Sequence, residues 1–207
     1  MKKTEISTTF RKLLADVYTP VGIYLRLRDR FRDTILLESA DFHAGENSYS
    51  FIGINAIAGI EIKNLIEIEY KFPLMEPKKI SINHSAKVTD EIWNFMQQFH
   101  ITEPAPMPVS MAQGLFGYTC YDAVQFFDTI KFNDQGALHA NNKTAEIPLI
   151  RYRLYQYVIA INHFKNELFL CENHIKGIES EIDIIESIIK SKDVPTFPFV
   201  AIGSETS

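Results

Sequence analysis

Residues 65–71 read LIEIEYK, and this short run decides the class of fold. Apolar and charged side chains alternate along it, so an extended chain would bury one face and expose the other to water. One buried face and one wet face is typical of an antiparallel sheet. We therefore expect this run to form a hairpin with residues 57–63, closed at Lys63 and Asn64.

Three further stretches carry the same signature. Residues 34–37 form an apolar run short enough to be a buried strand, and residues 49–54 form another after the turn signal at 45–48. Residues 155–161 and 167–171 pair naturally as a hairpin across 163–166. The chain therefore contains several antiparallel strands.

Helical patterns occur in four places. The stretch 8–16 has Phe10, Leu13 and Leu14 at helical spacing, and Thr19 before Pro20 predicts a helix start, with the helix running to about Arg28. Residues 24–27 alone fit a strand equally well. Two later helices are expected, and the apolar residues of each should share one side: Ile92, Phe95, Met96 and Phe99 after Thr89, and Ile178, Ile182, Ile185 and Ile189 around 179–190.

The remaining segments predict connections between these elements. Residues 110–130 read as a strand that runs into a helix, residues 103–108 as an extended proline-rich connection, and residues 132–146 as a polar surface loop. Strands and helices are segregated along the chain without regular alternation, which indicates an α+β fold, with antiparallel sheets packed against helices.

Composition excludes several classes of function. The 207 residues are 46% hydrophobic and 23% charged, with a net charge of −5, so no basic surplus is present to bind nucleic acid. No signal peptide and no membrane span is evident, and Cys120 and Cys171 have no metal-ligand spacing. We expect a cytoplasmic protein with reduced thiols. Residues 195–207, with Pro195 and Pro198 followed by small polar residues, predict a linker.

Common catalytic and metal-binding templates are missing. The sequence has no dinucleotide fingerprint, phosphate-binding loop or nucleophile elbow, and its six histidines lack the spacing of a metal pair. Gly114 and Gly117 lie in an apolar run without lysine or serine, which favours a close packing contact. We therefore predict no catalytic residue and no metal ligand in this chain.

One constellation points to ligand binding. Leu37, Glu38 and Ser39 place a carboxylate and a hydroxyl at the exit of a buried apolar strand. Such a strand end suits a small amphipathic molecule, with its ring buried and its polar head on the edge groups. An ordinary turn is the alternative interpretation of the same residues.

Two sequence blocks resemble a known family. Residues 36–40 (LLESA) and 49–53 (YSFIG) resemble the paired signature of anthranilate synthase component I, and residues 114–122 (GLFGYTCYD) are similar to a later block of that family. The order and the distance of the blocks agree, and the hairpin at 155–172 has a counterpart in related chains. The resemblance covers nearly the whole chain.

The resemblance implies both a fold and a function. Residues 1–207 would be the N-terminal regulatory domain of the family's sandwich fold, with 195–207 leading to an absent chorismate-binding catalytic domain. Family members convert chorismate to anthranilate and pyruvate with Mg²⁺ and with ammonia from a glutamine amidotransferase subunit. The Mg²⁺ ligands would lie beyond residue 207, so this segment alone would be inactive.

The resemblance also implies a regulatory site. Leu37, Glu38 and Ser39 match positions that contribute part of an inhibitory L-tryptophan pocket, whose remainder lies in the catalytic half. Tyr49 stands where some relatives carry a lysine. Two alternatives stay open: an aminodeoxychorismate synthase, against which Glu38 argues, and a stand-alone binding module.

Overall fold

The computed structural model describes residues 3–39, 48–63, 67–81, 88–130 and 147–191. Within these ranges the strands are β1 (Thr4–Leu14), β2 (Ile35–Leu37), β3 (Tyr49–Ile62), β4 (Glu67–Lys71), β5 (Lys78–Ser81), β6 (Phe99–Ile101), β7 (Phe116–Thr119), β8 (Ile150–Asn162) and β9 (Glu167–His174). The α-helices are α1 (Pro20–Leu27), α2 (Val88–Met96) and α3 (Ile182–Lys190), and two 3-10 helices span Val109–Gln113 and Tyr121–Phe126.

The strands form one sheet in the order β5-β4-β3-β8-β9-β1-β6, with β2 also paired to β3 and β7 to β8. Every pair is antiparallel except β1 with β6, which is parallel. The α+β class is confirmed, and the predicted antiparallel arrangement holds for every pair but this one, which makes the sheet mixed. Strand β6 follows α2 at the end of a long crossover, and such a connection lets two strands run in the same direction.

The long strands β3 and β8 form the centre of the sheet. Their register runs from Tyr49 opposite Asn162 to Ile62 opposite Ile150, with a bulge between Ala56 and Ala58. This pairing joins the hairpin β3–β4 to the hairpin β8–β9. The two ends of β3 therefore lie in different surroundings on one continuous strand.

Helices cover the sheet in two separate clusters. Helix α1 begins where the Thr19 hydroxyl accepts the Gly22 N–H at 3.0 Å, and Pro20 occupies the first turn. It packs with α3 against Tyr157, and α2 packs near the other end of the sheet. The first cluster also includes Ile23, Leu27, Ile52, Ile159, Leu168 and Ile185, and the second includes Ile60, Ile68, Phe95 and Ile150.

The predicted hairpins are confirmed. Strands β3 and β4 pair from Gly59 opposite Lys71 to Ile62 opposite Ile68, and β8 and β9 pair across the turn after Asn162. Along β4 the apolar Ile68 is buried, whereas its charged neighbours are half-exposed. The start of α1, the strand at 35–37 and the irregular connection at 103–108 are also as predicted.

The predicted helix at 8–16 is wrong. Residues 4–14 form β1, which pairs with β9 from Ser7 opposite His174 to Leu14 opposite Glu167. A weak local helical pattern is overridden here by eight residues of sheet pairing. Sequence spacing alone did not reveal that partner strand.

Three other helix predictions need correction. Helix α2 ends at Met96, which is exposed, and Phe99 belongs to β6 because residues 99–101 pair with β1. Helix α3 begins at Ile182, later than expected, and the Gln156 side chain donates to the Glu179 carbonyl at 2.7 Å just before it. The segment 110–130 contains the end of one 3-10 helix, then β7, then the second 3-10 helix.

The close packing contact at Gly117 is confirmed. A Cβ at this position would lie 1.8 Å from the Arg151 carbonyl oxygen of β8. Any side chain would therefore push β7 away from the sheet.

Several predictions lie outside the described residues. These are the turn signal at 45–47, the end of the hairpin at 64–66, the polar loop at 132–146 and the linker at 195–207. In the described part of the chain no helix has the length and apolar character needed to cross a bilayer.

Candidate functional site

The predicted effector residues lie where β2 leaves the sheet. Leu36 is opposite Ile52 and Leu37 is opposite Phe51 in the antiparallel pair with β3. Successive side chains of a strand point to opposite faces, so Leu36 packs toward the cluster with α1 and α3. Leu37 packs toward a third cluster, which contains Phe116 and Tyr155.

Three adjacent residues lead from the core to the surface. Leu37 is half-buried against the aromatic cluster, Glu38 is exposed, and Ser39 is half-buried. An apolar contact, a carboxylate and a hydroxyl thus follow one another along the backbone. Ser39 is therefore not sealed within the core. An effector contact requires this accessibility.

The backbone of Ser39 is held by a side chain that the sequence did not single out. Its N–H donates to the Ser50 Oγ at 3.3 Å, and the same Oγ lies 2.7 Å from the Nε2 of His163. Ser50 is 0% exposed, whereas His163 is exposed in the turn after β8. The His163 backbone N–H binds the Ser48 carbonyl at 3.0 Å.

An aromatic row borders Leu37. The Tyr49 ring stacks on Phe51 with centroids 6.0 Å apart, and Phe51 contacts Phe116 at 5.6 Å. Phe116 packs edge-on against Tyr155, with the ring centroids 6.3 Å apart. Burial raises the pKa of Tyr155 to about 12, so this phenol stays neutral. The position of Tyr49 therefore supplies a stacked ring and no cation.

A second polar group is buried at the other end of β3. The Glu61 Oε2 accepts hydrogen bonds from Arg151 Nε at 2.9 Å and from an Arg153 guanidinium nitrogen at 2.6 Å. Burial alone would raise the pKa of Glu61, but the hydrogen bonds from the two arginines outweigh it, and the pKa is lowered. Glu61 therefore stays ionised as the centre of an internal ion cluster.

Sequence reasoning missed Ser50, His163 and Glu61 as interacting residues. Ser50 and His163 are 113 positions apart, so no local pattern connects them. Glu61 gave a usable signal, because a lone acid in the apolar run from Ala56 to Ile62 needs a partner.

A surface groove lies on a different part of the molecule. It has a volume of about 660 Å³ and is lined by Arg11, Asp183, Glu186, Ser187, Lys190 and Ser191. Arg11 bridges Asp183 at 2.7 Å and also pairs with Glu186, which binds Lys190 in turn. The charged side chains of the groove thus pair with one another. The groove is not adjacent to Ser39 in the sheet.

The Mg²⁺ that the resemblance implies finds no ligand set in the described ranges. No group of three or more His, Cys, Asp or Glu side chains is placed there to hold a metal ion.

Burial raises the pKa of the Cys171 thiol to about 12, which makes this cysteine a poor nucleophile.

Comparisons with known proteins point in one direction. Three proteins named anthranilate synthase component 1 match the chain, from Methanothermobacter thermautotrophicus, Aquifex aeolicus and Acinetobacter calcoaceticus. They are 27%, 26% and 27% identical over 77%, 63% and 87% of this chain. This chain is a sequence relative of anthranilate synthase component 1. It spans only 30%, 25% and 36% of the lengths of those three relatives.

No protein-family model matches the chain. The crystal structure of anthranilate synthase component I from Streptococcus pneumoniae TIGR4 is similar with a TM-score of 0.44 and 17% identity, over 85% of this chain and 34% of that one. The similarity to the three sequence relatives covers 63–87% of this chain and 25–36% of their lengths.

Proposed function

We propose that this chain is the N-terminal, non-catalytic part of an anthranilate synthase component I. Support comes from three relatives of that name, whose similarity extends over 63–87% of the chain but over only 25–36% of their own lengths. The catalytic half, which converts chorismate and ammonia to anthranilate, pyruvate and water, lies outside these 207 residues. Mg²⁺ and the contacts with the glutamine amidotransferase subunit belong to the complete enzyme, meaning this chain joined to that half.

Two exposed apolar side chains on one face of β1 support a missing domain. Phe10 is 46% exposed and Leu14 is 65% exposed on one face of β1, and Phe10 rests on Phe169 at 6.1 Å. Phe169 belongs to the same cluster as Phe51 and Leu37. Large exposed apolar areas mark contact surfaces. The chorismate-binding half covers Phe10 and Leu14 and completes the family's sandwich.

The site at the end of β2 is half of a feedback pocket for L-tryptophan. Leu37 borders the indole ring, and Glu38 and Ser39 face its charged head group. The catalytic half supplies the other wall, so only one relative arrangement of the halves completes the pocket. An effector shifts such an equilibrium by its differential affinity for the two arrangements. Bound tryptophan therefore favours an arrangement that does not close over chorismate.

Tryptophan inhibition of the Ser39→Ala variant tests this assignment. A hydrogen bond to a charged group contributes about 1.5–3 kcal/mol, so the tryptophan concentration for half-inhibition should rise about tenfold to a hundredfold in the complete enzyme. Ser187→Ala, at an exposed position of α3, is the matched control and should keep the wild-type value. An unchanged midpoint in Ser39→Ala would remove Ser39 from the pocket.

Product analysis tests the enzyme assignment itself. The complete enzyme should release pyruvate together with anthranilate when supplied with chorismate and an ammonia source. An aminodeoxychorismate product without pyruvate would assign the chain to the related folate-pathway enzyme.

A further inference from the structure

The backbone of Ser39 lies two residues beyond the end of the ladder between β2 and β3. The pairing of β2 with β3 runs from Ile35 opposite Gly53 to Leu37 opposite Phe51. After that point the Ser39 N–H is bound by the side-chain oxygen of Ser50. A side chain, and not a backbone carbonyl, thus fixes how far Ser39 lies from β3.

The Ser50 hydroxyl is itself fixed by a partner from another strand pair. Its oxygen lies 2.7 Å from His163 Nε2, and His163 is tied to Ser48 through its own backbone N–H. A hydroxyl has one proton and two acceptor lone pairs. Ser50 can therefore donate to His163 while it accepts from Ser39, so the imidazole sets the direction of the hydroxyl.

Burial separates this arrangement from a catalytic pair. A serine hydroxyl at hydrogen-bond distance from a histidine resembles an activated nucleophile. Ser50 is 0% exposed, however, so neither a substrate nor an effector reaches its oxygen. The pair acts on the surface only through the backbone it holds.

We infer that Ser50 and His163 are positioning residues for the effector site, and that they hold Ser39 at the place where it meets the ligand. This inference rests on the proposed tryptophan pocket at Leu37, Glu38 and Ser39. Ser50 itself does not contact the effector, because its side chain is fully buried. Loss of either one lets the Ser39 backbone shift and weakens the effector's polar contacts.

The experiment measures the tryptophan concentration for half-inhibition in the complete enzyme, with each variant normalised to its own uninhibited turnover. Ser50→Ala and His163→Phe should each raise this concentration about threefold to tenfold, the effect of losing one intramolecular hydrogen bond. The double variant should be no worse than the more severe single variant, because the two residues act in series.

A conservative variant separates positioning from bulk. His163→Gln keeps a side chain with a donor and an acceptor and should return the midpoint to within about twofold of wild type, whereas His163→Phe keeps the ring but no polar atom. His174→Phe is the control, since His174 lies at the far end of β9 and bonds to Thr9. His163 is exposed, so its variants keep the test available if Ser50→Ala does not fold.

The possible failures are distinguishable. If Ser39→Ala weakens inhibition while Ser50→Ala and His163→Phe behave like His174→Phe, the positioning role is wrong and the pocket stands. Equal losses in His163→Gln and His163→Phe also overturn the positioning role. If wild-type enzyme ignores tryptophan, or if Ser39→Ala responds like wild type, the proposed pocket fails and the inference fails with it.

Discussion

The two ends of β3 each bury one polar side chain, and they do so in opposite ways. Glu61 is 4% exposed, and its partners Arg151 and Arg153 come from the directly neighbouring strand β8. Ser50 is equally buried, but Ser39 and His163, its partners, lie beyond β2 and in the turn after β8. At the closed end, the buried group is paired with side chains of the neighbouring strand. At the open end, it is bonded to groups outside the ladder, one of which is the exposed His163.

The difference teaches what each buried polar group is suited to do. A buried carboxylate whose arginine partners come from the neighbouring strand is tied to the integrity of the sheet. A hydroxyl that links a strand exit to an exposed imidazole should contribute less to stability than the buried carboxylate does, and it can fix a surface segment. Substitutions at the closed end should therefore alter the free energy of unfolding most, whereas those at the open end should alter ligand binding more.

The largest effect is expected for Glu61→Gln. Removal of one partner of a buried ion pair leaves uncompensated charge, and we expect a loss of about 3 kcal/mol in the free energy of unfolding. Part of the Arg151 side chain is hydrated, which keeps the loss at the low end of the usual range. Chemical denaturation measures it, with Glu67→Gln on β4 as control at about 0.5 kcal/mol or less. Equal losses in both variants would contradict a closed ion cluster.

The pH dependence of the same pair of proteins sharpens this assignment. The pKa of Glu61 is lowered from its ordinary 4.5 in the folded state, so its contribution is fully present above that ordinary value. It is lost as the pH falls through the lower folded-state pKa. The stability gap between wild type and Glu61→Gln should be constant above about pH 5.5 and should shrink below pH 4.5. A stability difference that widens as the pH falls would contradict the lowered pKa of Glu61.

A smaller effect is expected at the open end. Ser50→Ala should lower the free energy of unfolding by about 1–2 kcal/mol, because one buried hydroxyl and its two hydrogen bonds are lost. The same denaturation series measures it. A loss as large as that of Glu61→Gln would erase the contrast between the two ends of β3.

Local patterns predicted the parts of the fold that are local. The alternation in residues 67–71 and the hairpin around 163–166 depend on neighbours in sequence, and both were predicted correctly. The strand β1 was mistaken for a helix because its partner β9 lies about 160 positions away, as the bond between Thr8 and Asn173 illustrates. The parallel pairing of β1 with β6 is equally invisible in the sequence, since nothing local specifies a crossover.

The candidate site likewise has a part that follows from contiguous residues and a part that depends on strand pairing. Leu37, Glu38 and Ser39 are contiguous, so their place at the end of a strand was predictable from the sequence. Ser50 and His163 reach that exit only because β3 and β8 pair in the register that brings residues 48–50 beside 161–163. Such a contact depends on the tertiary structure, and sequence spacing carries no trace of it. The tryptophan assignment of the three residues stays a prediction.

Titration of chorismate turnover with L-tryptophan, in the complete enzyme that contains this chain, tests the central claim most directly. The account predicts that anthranilate and pyruvate production falls as tryptophan is added, and that the Ser39→Ala curve lies at least about tenfold to the right. Turnover that persists at saturating tryptophan, or two curves that coincide, would contradict it.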